Sequence, residues 1–345
     1  MKRVLLTGAG GFVGHHTLAH LLKTTDWEFC IIDSFRHFGT SARLRAVFDE
    51  LPMYRQRVKV LTHDLVSPID KVTAREIGNV DLIINMASES HVDRSIAEPR
   101  PFVENNIGLQ LTMLEFARSQ NQLEAFLQVS TDEVYGPAKD GHEHEEWSRL
   151  IPSNPYSASK ASQESLCISY WRTYDLPIII TNTMNIIGER QDVEKFIPLS
   201  IKNILAGEEV SVHAEKIGDK WVAGSRFYLH ARNQADALRF ILNSMSKEML
   251  LYSQGLDKPV RFNVRGELEI ANDDMVLLIA ELMGVDSKKG FVRYVNVEGA
   301  RPGHDLRYAL SGEKLASMGW HPPVPLRESL QRTINWTLKN QEWLH

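Results

Sequence analysis

Near its start the chain runs through a short apolar stretch, Val4-Leu5-Leu6-Thr7, into Gly8-Ala9-Gly10-Gly11-Phe12-Val13-Gly14, and then into a helical pattern over residues 12–23. Glycine recurs at every third position, as Gly8, Gly11 and Gly14. A strand that turns at once into a helix needs a tight bend with no side chain filling it. The helix then opens with unpaired N–H groups and the positive end of its dipole, so the amides of Phe12 and Val13 stand where a phosphate is favoured. A strand, a glycine turn and a helix at the head of a βαβ unit are the fingerprint of a dinucleotide-binding domain.

The alternation continues along the first half. Residues 29–33, 58–62, 82–86, 126–130 and 178–183 form short apolar runs with helix-like segments between them, and a long helix is expected from Pro155 to residue 174. Runs that are continuous rather than alternating imply burial on both faces. Strands alternating with helices predict an α/β fold, a Rossmann-type doubly wound parallel sheet. Beyond Gly188 the pattern is less regular: a helix over 196–206, a strand and loop over 210–221, helices over 230–246 and 270–283, and a strand over 261–264. A last helix over 326–339 follows Pro322, Pro323 and Pro325. This predicts a smaller α/β substrate-binding part. Residues 1–185 are expected to bind the cofactor, with 226–265 returning to them, and 186–225 with 266–345 to bind the substrate.

With 345 residues, 43% of them hydrophobic, the chain can bury a large core. Its net charge of -5 gives no basic footprint, which argues against nucleic acid as a partner. Cys30 and Cys167 lie far apart without CxxC spacing, so reduced, buried thiols are expected rather than a disulfide or zinc site. Glu143, Glu145 and Glu146, interleaved with His142 and His144, keep no ligand spacing; a solvated loop is expected there, and no metal. No apolar stretch approaches the roughly 18 residues of a membrane span, and the start lacks a signal-peptide pattern. A cytoplasmic protein with no membrane partner is the expectation.

The second apolar run ends in Asp33, 19 residues after Gly14. A carboxylate at that interval accepts hydrogen bonds from a ribose diol and repels a 2′-phosphate, which favours NAD over NADP, although Arg36 and His37 stand nearby. Asp64, after the third run, is placed either for an adenine contact or as a strand-end cap. Tyr156-Ser157-Ala158-Ser159-Lys160 puts a phenol and an ammonium at i and i+4 on one face of a helix. Asn154 suits the cap of that helix and Pro155 its first turn. A nearby ammonium lowers a phenol's pKa, and such a tyrosine can take a hydroxyl proton while hydride leaves the same carbon.

With Ser130-Thr131 added, these motifs resemble the extended short-chain dehydrogenase/reductase family and, within it, the dTDP-glucose 4,6-dehydratases. The matching stretches are 89–96, Ser130-Thr131-Asp132-Glu133-Val134-Tyr135-Gly136, Asn154-Pro155-Tyr156, 194–199 and 301–308. The resemblance implies cofactor contacts from Leu65, Met86, Ala87, Ser88 and Asn106 and substrate contacts from Ser90, His91, Asn185, Glu194, Lys195, Arg226, Asn263, Arg301 and His304. It makes Asp132 the acid and Glu133 the base of a water elimination across C5–C6 of a nucleotide-linked hexose, with Thr131 bonded to the C4 oxygen. Two carboxyl groups in different environments can divide such work. It also implies a homodimer, with Met113, Phe116, Leu166 and Tyr170 on the helices used for dimerisation.

The sequence departs from the family where base and sugar should bind. The family's Asn-Asn-Tyr-Gly-Pro stands here as Asn185-Ile186-Ile187-Gly188-Glu189, and its Arg-Asp-Trp-Leu as Arg226-Phe227-Tyr228-Leu229. Base and hexose therefore stay open. An epimerase, a dehydratase of a UDP-, CDP- or GDP-linked hexose and a non-catalytic NAD-binding regulator are the alternatives. Tyr156 and Lys160 argue against the last.

Overall fold

The structure, a computed structural model, describes residues 1–36, 39–139, 141–286, 290–296 and 305–345. The first half alternates strand and helix: β1 (Arg3–Thr7), α1 (Phe12–Thr24), β2 (Glu28–Asp33), α2 (Ser41–Glu50), β3 (Val58–Thr62), α3 (Lys71–Ile77), β4 (Leu82–Asn85), α4 (Val92–Ala97), α5 (Pro99–Arg118), β5 (Ala125–Thr131), α6 (Pro155–Tyr174) and β6 (Ile178–Thr183). Then come β7 (Ile186–Ile187), α7 (Phe196–Ala206), β8 (Val210–Ile217), β9 (Lys220–Ala223), β10 (Ser225–Phe227), β11 (Leu229–His230), α8 (Ala231–Ser244) and β12 (Val260–Val264). The chain ends with β13 (Glu269–Ala271), α9 (Asn272–Leu282), β14 (Val292–Asn296), α10 (Glu313–Ser317) and α11 (Leu326–Lys339).

Seven strands form one sheet in the order β12-β6-β5-β4-β1-β2-β3, and every neighbouring pair is parallel. The continuous apolar runs have their cause here. In β1, Val4 and Leu6 enter a core with Leu18 and Leu21 of α1 and Leu238 and Ile241 of α8, while Leu5 enters a second core with Met113 of α5 and Trp171 of α6. Phe29 and Ile31 of β2 likewise face the first core, and Cys30 and Ile32 the second. A strand covered on both faces has no polar side to display.

Both cysteines are buried and free. Met113, Phe116 and Tyr170 are buried in the second core and Leu166 packs against it, so these side chains serve the chain's own core.

A third core joins α7, α9 and α11 to β8 through Ile197, Ile201, Val212, Met275, Ile279, Leu330 and Ile334. The expected strand and loop over 210–221 is an antiparallel hairpin, β8 with β9, and β14 adds a parallel strand to β8. β14 escaped the sequence reading because its alternation is too short to stand alone. Ile270, expected in a helix, belongs to β13, which pairs with β10. The acidic loop also differs from expectation. Glu143 pairs with Arg265 at 2.5 Å, and the His144 carbonyl accepts from Asn263 Nδ2 and the Ser311 amide. It is pinned against β12.

Candidate active site

In an open parallel sheet the loops that follow two neighbouring strands diverge where the strand order reverses, here between β1 and β4, and a crevice opens at the carboxyl ends. A cavity of about 380 Å³ occupies that place. Gly8, Gly11, Phe12, Val13 and Gly14 line it from the first turn, Asp33 from the end of β2, Asp64 and Leu65 from beyond β3, and Met86, Ala87 and Ser88 from beyond β4. Gly8 has φ +72°, and a Cβ on Gly14 would lie 2.1 Å from the Gly8 carbonyl oxygen, so neither position accepts a side chain. Gly11, the cap of α1, has no side-chain bond to the helix amides. Uncapped amides above a turn without side chains fit a dinucleotide pyrophosphate.

Asp33 Oδ2 accepts the Gly10 amide at 2.8 Å and Oδ1 the Phe35 amide at 2.8 Å, which locks the carboxylate at the rim. Arg36 pairs with Asp64 at 2.6 Å. The guanidinium that could have welcomed a 2′-phosphate is thus already matched. His37 lies outside the described residues. Asn106 is not on the cavity wall; it is wholly buried and brackets Glu89, accepting from its amide at 2.8 Å and donating to its carbonyl at 3.1 Å. It shapes the 88–91 turn from behind.

The catalytic candidates meet on the opposite wall. Thr131, Asp132, Glu133, Tyr156 and Lys160 all line the cavity. Thr131 ends β5; its hydroxyl donates to Asp132 Oδ1 at 2.9 Å and accepts the Glu133 amide at 3.4 Å. α6 begins with the expected cap: Asn154 Oδ1 accepts the Ser157 amide at 2.9 Å, and Ser157 Oγ accepts the Asn154 amide at 3.2 Å. Asn154 Nδ2 also donates to Glu133 Oε2 at 3.2 Å. One residue therefore starts the helix carrying Tyr156 and positions the neighbouring carboxylate.

Burial disfavours charge throughout this wall. It raises Asp132 to about 6, against the pull of Thr131 and Arg226. Burial and then the charge of Asp132 raise Glu133 to about 7. Both carboxyl groups are thus raised toward neutrality, so that one can keep a proton while the other is ionised. Tyr156 is driven up strongly by burial and then by Glu133 and Asp132, with only the neighbouring Thr131 hydroxyl pulling down. The expected lowering of this phenol by Lys160 is not realised: Lys160 Nζ donates to the Val129 carbonyl at 2.8 Å, and burial lowers it to about 8. Two buried polar atoms here, Ser130 Oγ and Asp132 Oδ2, have no hydrogen-bond partner in the described chain. Such atoms await a polar ligand.

Toward the second part of the chain, Ser90, His91, Asn185, Glu194 and Lys195 line the same cavity. His91 caps α4 through Nδ1 and faces Glu194 Oε1 across the opening at 3.1 Å. Arg226 and Asn263 do not line it. Arg226 gives its guanidinium to the carbonyls of Ser225, Asp305 and Leu306. Asn263 is fully buried, accepting from the Tyr135 hydroxyl and donating to the His144 carbonyl. Arg301 and His304 lie outside the described residues. Gln191, Asp192 and Gln234 line the cavity without having been expected. Gln234 arrives on α8, remote in sequence, and no local pattern marks such a residue.

Three comparisons bear on this geometry. A family model described as GDP-mannose 4,6 dehydratase matches residues 5–333. The dTDP-glucose 4,6-dehydratase 1 of Escherichia coli K12 is 31% identical over 99% of this chain and 94% of that protein. Among solved structures, the dTDP-glucose 4,6-dehydratase DesIV of Streptomyces venezuelae, crystallised with NAD, superposes with a TM-score of 0.83 at 32% identity, over 99% of this chain and 98% of that one. The UDP-glucose 4-epimerase of Thermus thermophilus, also in complex with NAD, superposes with a TM-score of 0.80 at 25% identity, over 97% and 98%. The chain belongs to the GDP-mannose 4,6 dehydratase family of extended short-chain dehydrogenases/reductases.

Proposed function

We propose that this protein is an NAD-dependent nucleotide-sugar 4,6-dehydratase that acts on dTDP-glucose and gives the 4-keto-6-deoxy sugar, working as a cytoplasmic homodimer. Gly8, Gly11, Gly14 and Asp33 would hold NAD, which when bound would supply the acceptor for the C4 hydride and the donor of a hydride to C6. Tyr156, which burial keeps protonated in the free protein, is the group placed to accept the proton of the C4 hydroxyl once its own has left, and Thr131 hydrogen-bonds the oxygen that becomes the ketone. That ketone acidifies the C5 hydrogen. Glu133 removes it, and Asp132 protonates the C6 hydroxyl, which leaves as water. A proton returns to C5 as hydride arrives at C6, so oxidation and reduction balance within one turnover. Lys160, held on the Val129 carbonyl one helical turn from Tyr156, supplies positive charge to the same wall, and Glu194, Lys195 and His91 line the cavity toward the second part of the chain, where the nucleotide would sit.

The observation that carries this reading is the Asp132–Glu133 pair, set beside Thr131 and Tyr156 in one cavity and raised to about 6 and about 7. An epimerase needs the threonine, tyrosine and lysine but no second acid and base. Incubating the protein with NAD and dTDP-, UDP-, CDP- and GDP-hexoses, followed by product NMR, tests the assignment. A C6 methyl group beside a ketone, formed fastest from dTDP-glucose, is expected. Epimerised sugar with C6 still hydroxylated would establish the epimerase instead, and no product from any donor would overturn both.

A further inference from the structure

The face of α6 that holds Tyr156 and Lys160 carries a third ionisable residue. Glu164 follows Lys160 by four positions, as Lys160 follows Tyr156, so the three side chains stack along one side of the helix. Glu164 is wholly buried, and its Oε2 receives Nη2 of Arg261, on β12, at 2.7 Å. Its Oε1 accepts from Asn182 Nδ2, on β6, at 2.7 Å, and the same amide donates to the backbone carbonyl of Thr131 at 3.0 Å. Arg261 lies against the Trp147 ring at 4.2 Å and donates to the Tyr135 hydroxyl at 3.3 Å. A fully buried ion pair is a weak source of stability, because lost hydration offsets the attraction. Set one helical turn behind a catalytic lysine, it has a different use.

We propose that Glu164 is a positioning residue for the Tyr156–Lys160 couple: its carboxylate keeps Lys160 charged and, through Asn182, holds Thr131 at the cavity wall, while Arg261 fixes the carboxylate in place. The proposal rests on the catalytic reading of Tyr156 and Lys160 given above. Lys160 donates to a neutral acceptor, the Val129 carbonyl. The ionisable groups that act on it are Glu164 and Cys167, both of α6. Among the influences on Lys160, burial lowers it, and Glu164 is the strongest that opposes burial. Removing that negative charge therefore sends Lys160 below its value of about 8, and the lysine goes neutral at lower pH.

The test reads Lys160 directly, through the pH titration of its Cε resonance in protein carrying carbon-13 lysine, with and without NAD. In E164Q the midpoint is expected to fall by about one pH unit, and at pH 8.5 the charged fraction, with the rate of hydride removal from C4, by roughly eightfold. Glu164→Asp should restore both. Because E164Q leaves Arg261 unpaired in the core, the double variant E164Q/R261M, which removes both charges, is titrated beside it, and the same downward shift is expected. An unchanged Lys160 midpoint in either variant overturns the proposal. The titration needs no turnover, so a protein inactive on every nucleotide-hexose would remove the dehydratase assignment and leave this result readable.

Discussion

Two carboxyl groups side by side in a dry wall cannot both ionise freely, and the consequence is a shared proton. With Asp132 at about 6 and Glu133 at about 7, the pair carries a single proton between those values. Elimination needs one acid and one base at once. Below about 6 both are protonated and no base remains; above about 7 both are ionised and no acid remains. kcat/KM for dehydration should therefore be bell-shaped, with limbs near 6 and 7 belonging to the pair. Glu133→Gln separates the steps: oxidation at C4 should proceed once, and the absorbance of reduced nicotinamide should rise to one equivalent and persist. Normal turnover in that variant would remove Glu133 from the role. Part of this was legible in the sequence, because Thr131-Asp132-Glu133 are adjacent and need no fold to be brought together. The raised pKa values were not, since they depend on how much water each carboxyl loses.

At the scale of an element, α6 matters most, because its start and its chemistry share one residue. Asn154 satisfies the Ser157 amide, and its side-chain N–H also steadies the Glu133 carboxylate, pulling its pKa down. Asn154→Ala should cost about 1 kcal/mol through the lost cap. It should also raise Glu133 further, moving the alkaline limb of dehydration to higher pH. Asn154→Asp separates the two effects: an aspartate caps as well, but it cannot donate and it adds negative charge. It should melt close to the parent while its alkaline limb moves higher still; an unshifted limb with a normal melting temperature would show that Asn154 acts on the helix alone. Elements of this kind were readable because their signals are local. Asn154-Pro155 marks a helix start, and the run Ile178-Ile179-Ile180 marks a strand buried on both faces. β10, β13 and β14 were not readable, because each is held by a partner distant in the chain. Arg226 and Asn263 were placed by resemblance at the substrate, yet the fold employs them on backbone carbonyls and on Tyr135, pairings that no spacing announces.

Across the molecule, the proposed chemistry needs the segment bearing Glu194 and Lys195 to stay registered against Thr131 at the end of β5 and Tyr156 of α6. Arg43 of α2 makes that tie. Its side chain is 1% exposed, and it donates to the Arg190 carbonyl at 3.1 and 3.0 Å and to Asp192 Oδ1 at 2.7 Å. Its guanidinium also lies over the Trp343 ring near the chain's end, 5.5 Å from the centroid. A single cation thus joins an amino-terminal helix, the cavity-lining segment after β7 and the carboxyl-terminal turn. Arg43→Met keeps most of the apolar stem and removes the charge, leaving Asp192 and the Arg190 carbonyl without their donor. Breaking a fully buried pair costs roughly 3–5 kcal/mol; Asp192 retains 21% side-chain exposure, so the loss should fall at the low end of that range. The glycine turn and Asp33 do not contact Arg43 through any of these bonds, so NAD affinity should be nearly unchanged while KM for the nucleotide-hexose rises several-fold with kcat largely kept. Calorimetric titration with NAD, set beside steady-state kinetics, checks this. Equal losses in cofactor and substrate affinity would mean that Arg43 supports the fold as a whole instead of fixing the angle between its two halves.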